Sequence, residues 1–139
     1  MPLDLRDLCP LLQVFDMVES LTFYRDTIGF EIVAASPQPT GAGVANLNWV
    51  YLRQGGATLM LNTRYDPEDV RPLQRDPVQF AAHDDTALYI ACGDVDAAYE
   101  HLRARGVAMA PPRVAHYGMK QLYLKDPDGF TVCFQCPVG

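Results

Sequence analysis

The sequence predicts an α+β fold in which two βαβββ modules form a curved mixed sheet around a cavity, with the helices on the outer face. One observation behind this prediction is a repeated order of strand, helix and three strands in the two halves of the chain. A second is the recurrence of the helix ends, since Asp16 precedes Asp94 by 78 positions and Gly29 precedes Gly106 by 77. Such self-similarity at a fixed period indicates a structural duplication. Each half is too small to bury its own sheet, so we expect the two modules to form a single domain.

Module one is expected over residues 8–62. Its first strand, at Pro10–Phe15, is apolar except for one glutamine. Asp16 and Glu19 then have the spacing of an N-terminal capping box, and Gly29 is placed to end the helix. The later strands of the module are expected at Phe30–Ala35, Leu47–Arg53 and Ala57–Asn62, with a loop at Pro37–Gly43 and a hairpin turn at Gly55-Gly56.

Residues 63–85 are charged, contain prolines and lack periodicity, which indicates a connector with one helical turn near Pro77–Ala82. Module two is expected over residues 86–136 and repeats the order of module one. Asp94 is the predicted N-cap of its helix, and Gly106 ends that helix. Its strands are expected at Thr86–Cys92, Val107–Ala110, Lys120–Lys125 and Phe130–Gln135, the last two joined by the turn Asp126-Pro127-Asp128-Gly129.

The two hairpins determine which side chains share a face of the sheet. Their turns predict that Tyr51 lies opposite Met60 and that Tyr123 lies opposite Cys133. The reverse faces are wholly apolar, so they must pack on the helices. They hold Val50, Leu52, Leu59, Leu61, Leu122, Leu124, Val132 and Phe134.

Aromatic rings that share a sheet face with amides and thiols indicate the lining of a pocket rather than a solvated surface. The candidate ligand-binding residues are therefore Gln13, Trp49, Tyr51, Met60, Tyr89, Tyr123, Cys133 and Gln135. The alternative is that these rings pack across a dimer interface or between the two modules.

Composition narrows the class of protein. The formal charge of −6 and the pI near 4.8 disfavour nucleic acid as a partner, because an acidic surface repels phosphate. No apolar run reaches the roughly 20 residues of a membrane span, and the acidic N-terminal stretch lacks the apolar core of a secretory signal. We therefore expect a cytoplasmic protein with no membrane association. Its cysteines, which are Cys9, Cys92, Cys133 and Cys136, are expected to be reduced thiols.

Three parts of the sequence carry a family resemblance. The first is Leu12–Tyr24 followed by Ile28-Gly29-Phe30, with a strand, an Asp-capped helix and the order S-x-x-F-Y. The others are Gly93–Ala98, which opens module two, and the closing hairpin with Tyr117-Gly118 and Asp126–Phe130. Together these motifs resemble the vicinal oxygen chelate superfamily, which contains glyoxalases, bleomycin resistance proteins and extradiol dioxygenases. The resemblance implies a cup-shaped sheet that is usually completed in a homodimer.

The resemblance also implies where a metal ion would bind. Metal-dependent members of the superfamily supply His, Glu or Gln from four inward positions, which match Cys9, Met60, Ala87 and Cys133 here. None of the four is His, Asp or Glu, the ligands that hard or borderline divalent ions prefer. Glyoxalase and extradiol dioxygenase chemistry needs such an ion as a Lewis acid. We therefore expect no cofactor, and a soft-metal site formed by Cys9, Met60 and Cys133 stays open as an alternative.

The sequence thus predicts a metal-independent protein that binds a small-molecule ligand, for example to sequester a drug or toxin. One alternative is a lyase, isomerase or dioxygenase-like enzyme with an atypical active site, for which His116 is the candidate catalytic residue. Another is a dimeric interaction module without a ligand. Arg53 and Lys125 are candidates to meet an anionic group of a ligand, whereas His83 and His101 are expected to be solvated.

Overall fold

The computed structural model describes residues 2–37, 43–65 and 71–138 and has the predicted α+β architecture. In module one the strands are β1 (Leu11–Val14), β2 (Glu31–Pro37), β3 (Leu47–Gln54) and β4 (Ala57–Thr63). Helix α1 (Met17–Leu21) continues directly into a π-helical segment at Thr22–Ile28, and a 3-10 turn at Val44–Asn46 precedes β3. Most of the predicted loop at Pro37–Gly43 lies outside the described residues.

The connector and module two follow in the expected order. The connector contains helix α2 (Pro77–Ala82) and a 3-10 turn at His83–Asp85. Module two contains β5 (Ala87–Ala91), α3 (Val95–Ala104), β6 (Arg113–Val114), β7 (Met119–Lys125) and β8 (Thr131–Pro137). Within these described ranges, no helix is long and apolar enough to cross a membrane.

The strand predicted at Val107–Ala110 is wrong. The strand of this part of the module is β6, which lies after Pro111-Pro112 and pairs Arg113 with Gln121. Proline has no backbone N–H to donate to a strand ladder, so pairing begins only after the two prolines. Val107 and Met109 are instead half-buried against the core.

The two modules have the same topology, which confirms the predicted duplication. The strand order is β1-β4-β3-β2 in module one and β5-β8-β7-β6 in module two, and the first strand of each module is parallel to the last. The described strands form two four-stranded mixed sheets that do not pair with each other. β1 and β5 are therefore edge strands, and the modules meet through their helices and the connector.

Both hairpin registers agree with the prediction, since Tyr51 pairs with Met60 and Tyr123 pairs with Cys133. The predicted helix-facing residues are all buried, namely Val50, Leu52, Leu59, Leu61, Leu122, Leu124, Val132 and Phe134. They join Leu21 and Leu102 of the helical elements in one core. This burial fixes the register, because a slip by one residue would turn the apolar side chains toward the open face.

Local side-chain and backbone contacts define the ends of the first helix. The Asp16 carboxylate accepts hydrogen bonds from the Val18 and Glu19 amides at 3.0 and 3.3 Å, as expected of an N-cap. Gly29, which follows the π-helical segment, adopts a left-handed conformation with φ of 109° and donates its N–H to the Tyr24 carbonyl at 3.1 Å.

The final turn, Asp126–Gly129, joins module two to the rest of the molecule. The buried Asp128 carboxylate accepts the Phe15 amide at 3.1 Å and the Arg75 guanidinium at 3.3 Å. Arg75 also binds Glu19 at 2.7 Å, so one connector side chain links helix α1 to this turn. A charged partner compensates part of the cost of burying a carboxylate.

The expectation that His83 is solvated is wrong. Its ring stacks on Phe130 with 4.0 Å between centroids, and its Nδ1 lies 2.7 Å from the Asp128 carbonyl oxygen. The connector folds back over the final turn, and the sequence pattern of an irregular segment does not indicate such a long-range contact. His101 is exposed, as expected, and its Nε2 lies 3.0 Å from the Thr27 carbonyl oxygen.

Candidate ligand-binding site

The sheet of module one presents predicted site residues on the face opposite its helix. Trp49, Tyr51 and Met60 are half-buried there, and Gln13 is exposed at the end of β1. The Asn62 amide donates to the Gln13 side-chain oxygen at 3.3 Å, which links β1 and β4 across this face. The face thus combines flat rings with amide groups, as predicted.

The sheet of module two presents a continuous hydrogen-bonded network on its corresponding face. The hydroxyls of Tyr89 and Tyr123 lie 2.8 Å apart, and Tyr123 donates to the Gln121 side-chain oxygen at 3.2 Å. The Gln121 amide donates in turn to the Tyr117 hydroxyl at 2.8 Å and to the Gln135 side-chain oxygen at 3.0 Å. Phenols and amides that order one another in this way give a rigid surface with both donors and acceptors.

A neutral thiol lies beside the network. Cys133 pairs with Tyr123 across β7 and β8 and is buried, and its burial raises the pKa of the thiol above its ordinary value. The hydrogen bond with Tyr89, followed by partial burial, raises the pKa of the Tyr123 phenol. Both groups therefore keep their protons at neutral pH, and Tyr123 can act as a hydrogen-bond donor rather than as a base.

A cavity of about 420 Å³ opens beside this network. His116 and Tyr117 line it from the β6–β7 turn, and Gln121 and Tyr123 form its sheet side. Arg113 completes the lining, because its pairing with Gln121 across β6 and β7 puts both side chains on the same face. Arg113 is not among the predicted site residues, because the sequence pattern predicts the strand before the prolines rather than after them.

A larger groove of about 780 Å³ runs between the exposed edge of β5 and the β3–β4 turn. Phe30 and Leu59 contribute apolar surface to it, and Tyr89 is the predicted site residue that borders it. The 420 Å³ cavity and a further one of 540 Å³ are both bordered by Tyr123, and their described lining residues all belong to the connector or module two. A single chain thus brings Tyr89, Tyr123, Cys133 and Gln135 together, but holds Trp49 and Tyr51 on the other sheet.

The four positions at which the resemblance implies metal ligands do not fit a divalent ion. Ala87 has no donor atom, and Cys133 is buried. Across the ranges that the structure describes, no group of three or more His, Cys, Asp or Glu side chains is arranged to hold a metal ion. Hard divalent ions need several oxygen or nitrogen donors at about 2.0–2.6 Å.

Comparisons with known proteins agree with this fold. The model of the Glyoxalase/Bleomycin resistance protein/Dioxygenase superfamily matches residues 9–134. No curated protein matches the chain.

Among solved structures, TnmS3, an antibiotic binding protein from Streptomyces sp. CB03234, is 25% identical with a TM-score of 0.68, covering 99% of this chain and 100% of that one. A glyoxalase/bleomycin resistance protein from the same strain is 26% identical with a TM-score of 0.61, over 92% and 97% of the two chains. Lactoylglutathione lyase from Agrobacterium tumefaciens shares the fold at 21% identity and a TM-score of 0.66, over 96% and 94%.

Proposed function

The chain belongs to the glyoxalase/bleomycin resistance protein/dioxygenase superfamily, and from this premise we propose that it binds a planar small molecule without a metal ion and releases it unchanged. Sequestration of a drug or toxin is the role that this activity would serve. The similarity to TnmS3, an antibiotic binding protein, supports the proposal, because the two chains match over nearly their whole lengths.

The observation that carries the proposal is the network of Tyr89, Tyr123, Gln121 and Gln135 on one sheet face. Ring faces offer stacking surface to a flat ligand, and phenol and amide groups can hydrogen-bond to its edges. Tyr89 remains 52% exposed, so this surface is open to a ligand in the single chain. The donor chemistry at Cys9, Met60, Ala87 and Cys133 supports binding without a hard divalent ion.

We propose that the protein is a homodimer in which a second copy helps to enclose the ligand. Leu3, Leu5 and Leu8 of the N-terminal arm are 81–86% exposed. Large apolar side chains that are exposed so near one another in the chain are typical of interaction sites. Trp49 and Tyr51 lie on a different sheet from Tyr123, so the two aromatic faces need another chain to enclose one ligand. A reducing compartment such as the cytoplasm fits the described cysteines, which are free thiols.

The proposal is tested with N-phenyl-1-naphthylamine, a neutral aromatic dye whose fluorescence rises on transfer to an apolar site. We expect saturable binding at one dye per chain, and a loss of about 3- to 10-fold in affinity in Tyr123→Phe, since one hydrogen bond to the ligand or network is removed. Tyr99→Phe is the matched control, because Tyr99 packs against the core on the other side of the sheet. Absence of saturable binding would contradict the proposal.

Native mass spectrometry of the freshly purified full chain distinguishes a ligand-binding protein from an enzyme and from an interaction module. A dimer that carries an organic molecule supports the proposed function. Conversion of that molecule during incubation, followed by chromatography and mass spectrometry, would favour an enzyme, and His116→Ala would then test the candidate catalytic residue. A dimer that binds neither a co-purified molecule nor the dye would favour an interaction module.

A further inference from the structure

We propose that the ligand of this site carries an anionic group attached to its aromatic body, and that Arg113 binds that group. The proposal rests on the proposed function and specifies its ligand as a planar aromatic acid: a carboxylate, a sulfonate or an ionised phenol.

Arg113 is placed to reach a ligand that lies on the aromatic network. It pairs with Gln121 across β6 and β7, and Gln121 bonds directly to Tyr117, Tyr123 and Gln135. Arg113 also lines the same cavity of about 420 Å³ as Tyr123. A ligand whose rings contact Tyr123 would therefore have its edge near this guanidinium.

The charge of Arg113 is available to a ligand. The other basic side chains of the same sheet have acidic partners, since Lys120 pairs with Asp96 at 2.5 Å and Lys125 pairs with Asp84. Arg113 forms no ion pair within the part of the chain that the structure describes, and it is exposed. An exposed arginine with no ion-pair partner among the described residues is a local exception to the acidity of a chain with a net charge of −6.

The lining of the cavity favours an anion as well. None of the described residues that line it is Asp or Glu, so an anionic group meets no like charge from them. His116 and Tyr117 also line it, and their polar groups can add hydrogen bonds to an anionic group. A planar guanidinium forms two parallel hydrogen bonds with a carboxylate or sulfonate, which adds both affinity and orientation.

Two dyes with the same ring system test the inference. 1-Anilinonaphthalene-8-sulfonate is the sulfonated analogue of N-phenyl-1-naphthylamine, so their affinities differ chiefly through the anionic group. We expect the wild-type protein to bind the sulfonate about tenfold more tightly than the neutral dye at low ionic strength. Added salt should weaken sulfonate binding and leave the neutral dye nearly unaffected, because only one of the two is charged.

Arg113→Met should abolish the preference, because it should weaken sulfonate binding about tenfold more than neutral-dye binding. Arg113→Lys should restore part of the preference, since it keeps the charge and loses the paired geometry. Arg103→Met, an exposed position on α3, is the control and should change neither affinity.

Equal affinity of the wild-type protein for both dyes, or a preference that survives in Arg113→Met, would overturn the inference and leave the proposed function intact. Failure of both dyes to bind would contradict the proposed function itself. If Arg113→Met proves unstable in a thermal melt, the salt dependence of the wild-type protein and the Arg113→Lys variant decide the question.

Discussion

The Tyr24 hydroxyl donates a 2.6 Å hydrogen bond to the Asp126 carboxylate, which joins the helical segment of module one to the closing turn of module two. Both residues are buried, and the Asp126 carboxylate also accepts the amides of Asp128 and Phe130 at 2.8 and 2.9 Å. The contact therefore links module one to module two, whose sheets do not pair with each other.

Tyr24→Phe should destabilise the protein by about 1–3 kcal/mol, because it leaves a buried carboxylate oxygen without its donor. The free energy of unfolding, measured by urea denaturation, checks this. Tyr89→Phe removes a phenol from an exposed position and should cost less than about 0.5 kcal/mol. Equal effects of the two substitutions would show that the buried bond has no special importance.

The same pair predicts a dependence of stability on pH. Burial raises the pKa of Asp126 above its ordinary value, although the hydrogen bonds from Tyr24 and the backbone oppose this shift. The folded state therefore binds the Asp126 proton more tightly than the unfolded state does. Its contribution to stability is present below the usual aspartate pKa and is lost as the pH rises through the raised pKa of the folded state.

Asp126→Asn should remove this dependence. As the pH rises from about 3.5 to about 7, the unfolding free energy of the wild type should fall relative to that of Asp126→Asn. Asp26→Asn is the control and should show the opposite change of relative stability with pH, because the hydrogen bond from Arg25 lowers the pKa of the exposed Asp26. Parallel pH profiles for the wild type and Asp126→Asn would contradict the prediction.

Gly129→Ala should be more harmful than Gly55→Ala. Both glycines have positive φ, 89° and 56°, so both substitutions introduce backbone strain of about 1 kcal/mol. A Cβ at Gly129 would also lie 2.4 Å from the Phe80 carbonyl oxygen, whereas a Cβ at Gly55 meets open space. The midpoint of thermal unfolding should therefore fall several degrees further for Gly129→Ala, on the order of 4 °C per kcal/mol.

Local patterns explain why the hairpins could be predicted from the sequence. Alternating side chains and turn residues within a few positions fix the pairing of Tyr51 with Met60 and of Tyr123 with Cys133. The second pair also puts Gln121 opposite Gln135, so the turn of the last hairpin is enough to place Tyr123, Gln121 and Gln135 on a common face.

Long-range contacts explain what the sequence left undetermined. His83 reaches Asp128 across 45 positions, and this contact depends on how the irregular connector folds back. Arg113 enters the candidate site only because pairing in β6 starts after two prolines. The arrangement of the two sheets depends likewise on packing between modules, which hydrophobic periodicity within one segment does not specify.

Arg75 gives the last prediction, on the role of the connector. Its guanidinium contacts Glu19 at 2.7 Å and the buried Asp128 at 3.3 Å, and lies 4.9 Å from the centre of the Phe15 ring. Arg75→Met should destabilise the protein by about 1–3 kcal/mol, since it leaves Asp128 buried without its charged partner.

Arg71→Met is a matched control, because Arg71 also lies over Phe15, at 5.2 Å, but its ion pair with Asp16 is more exposed. That control should cost less than about 1 kcal/mol. Each substitution removes one arginine and therefore one positive charge. Urea denaturation of both variants thus distinguishes the loss of the specific Arg75 contacts from the general effect of removing a positive charge. Equal destabilisation by the two substitutions would mean that the connector is held by its overall charge. The contact between Arg75 and Asp128 would then not be what links the two modules.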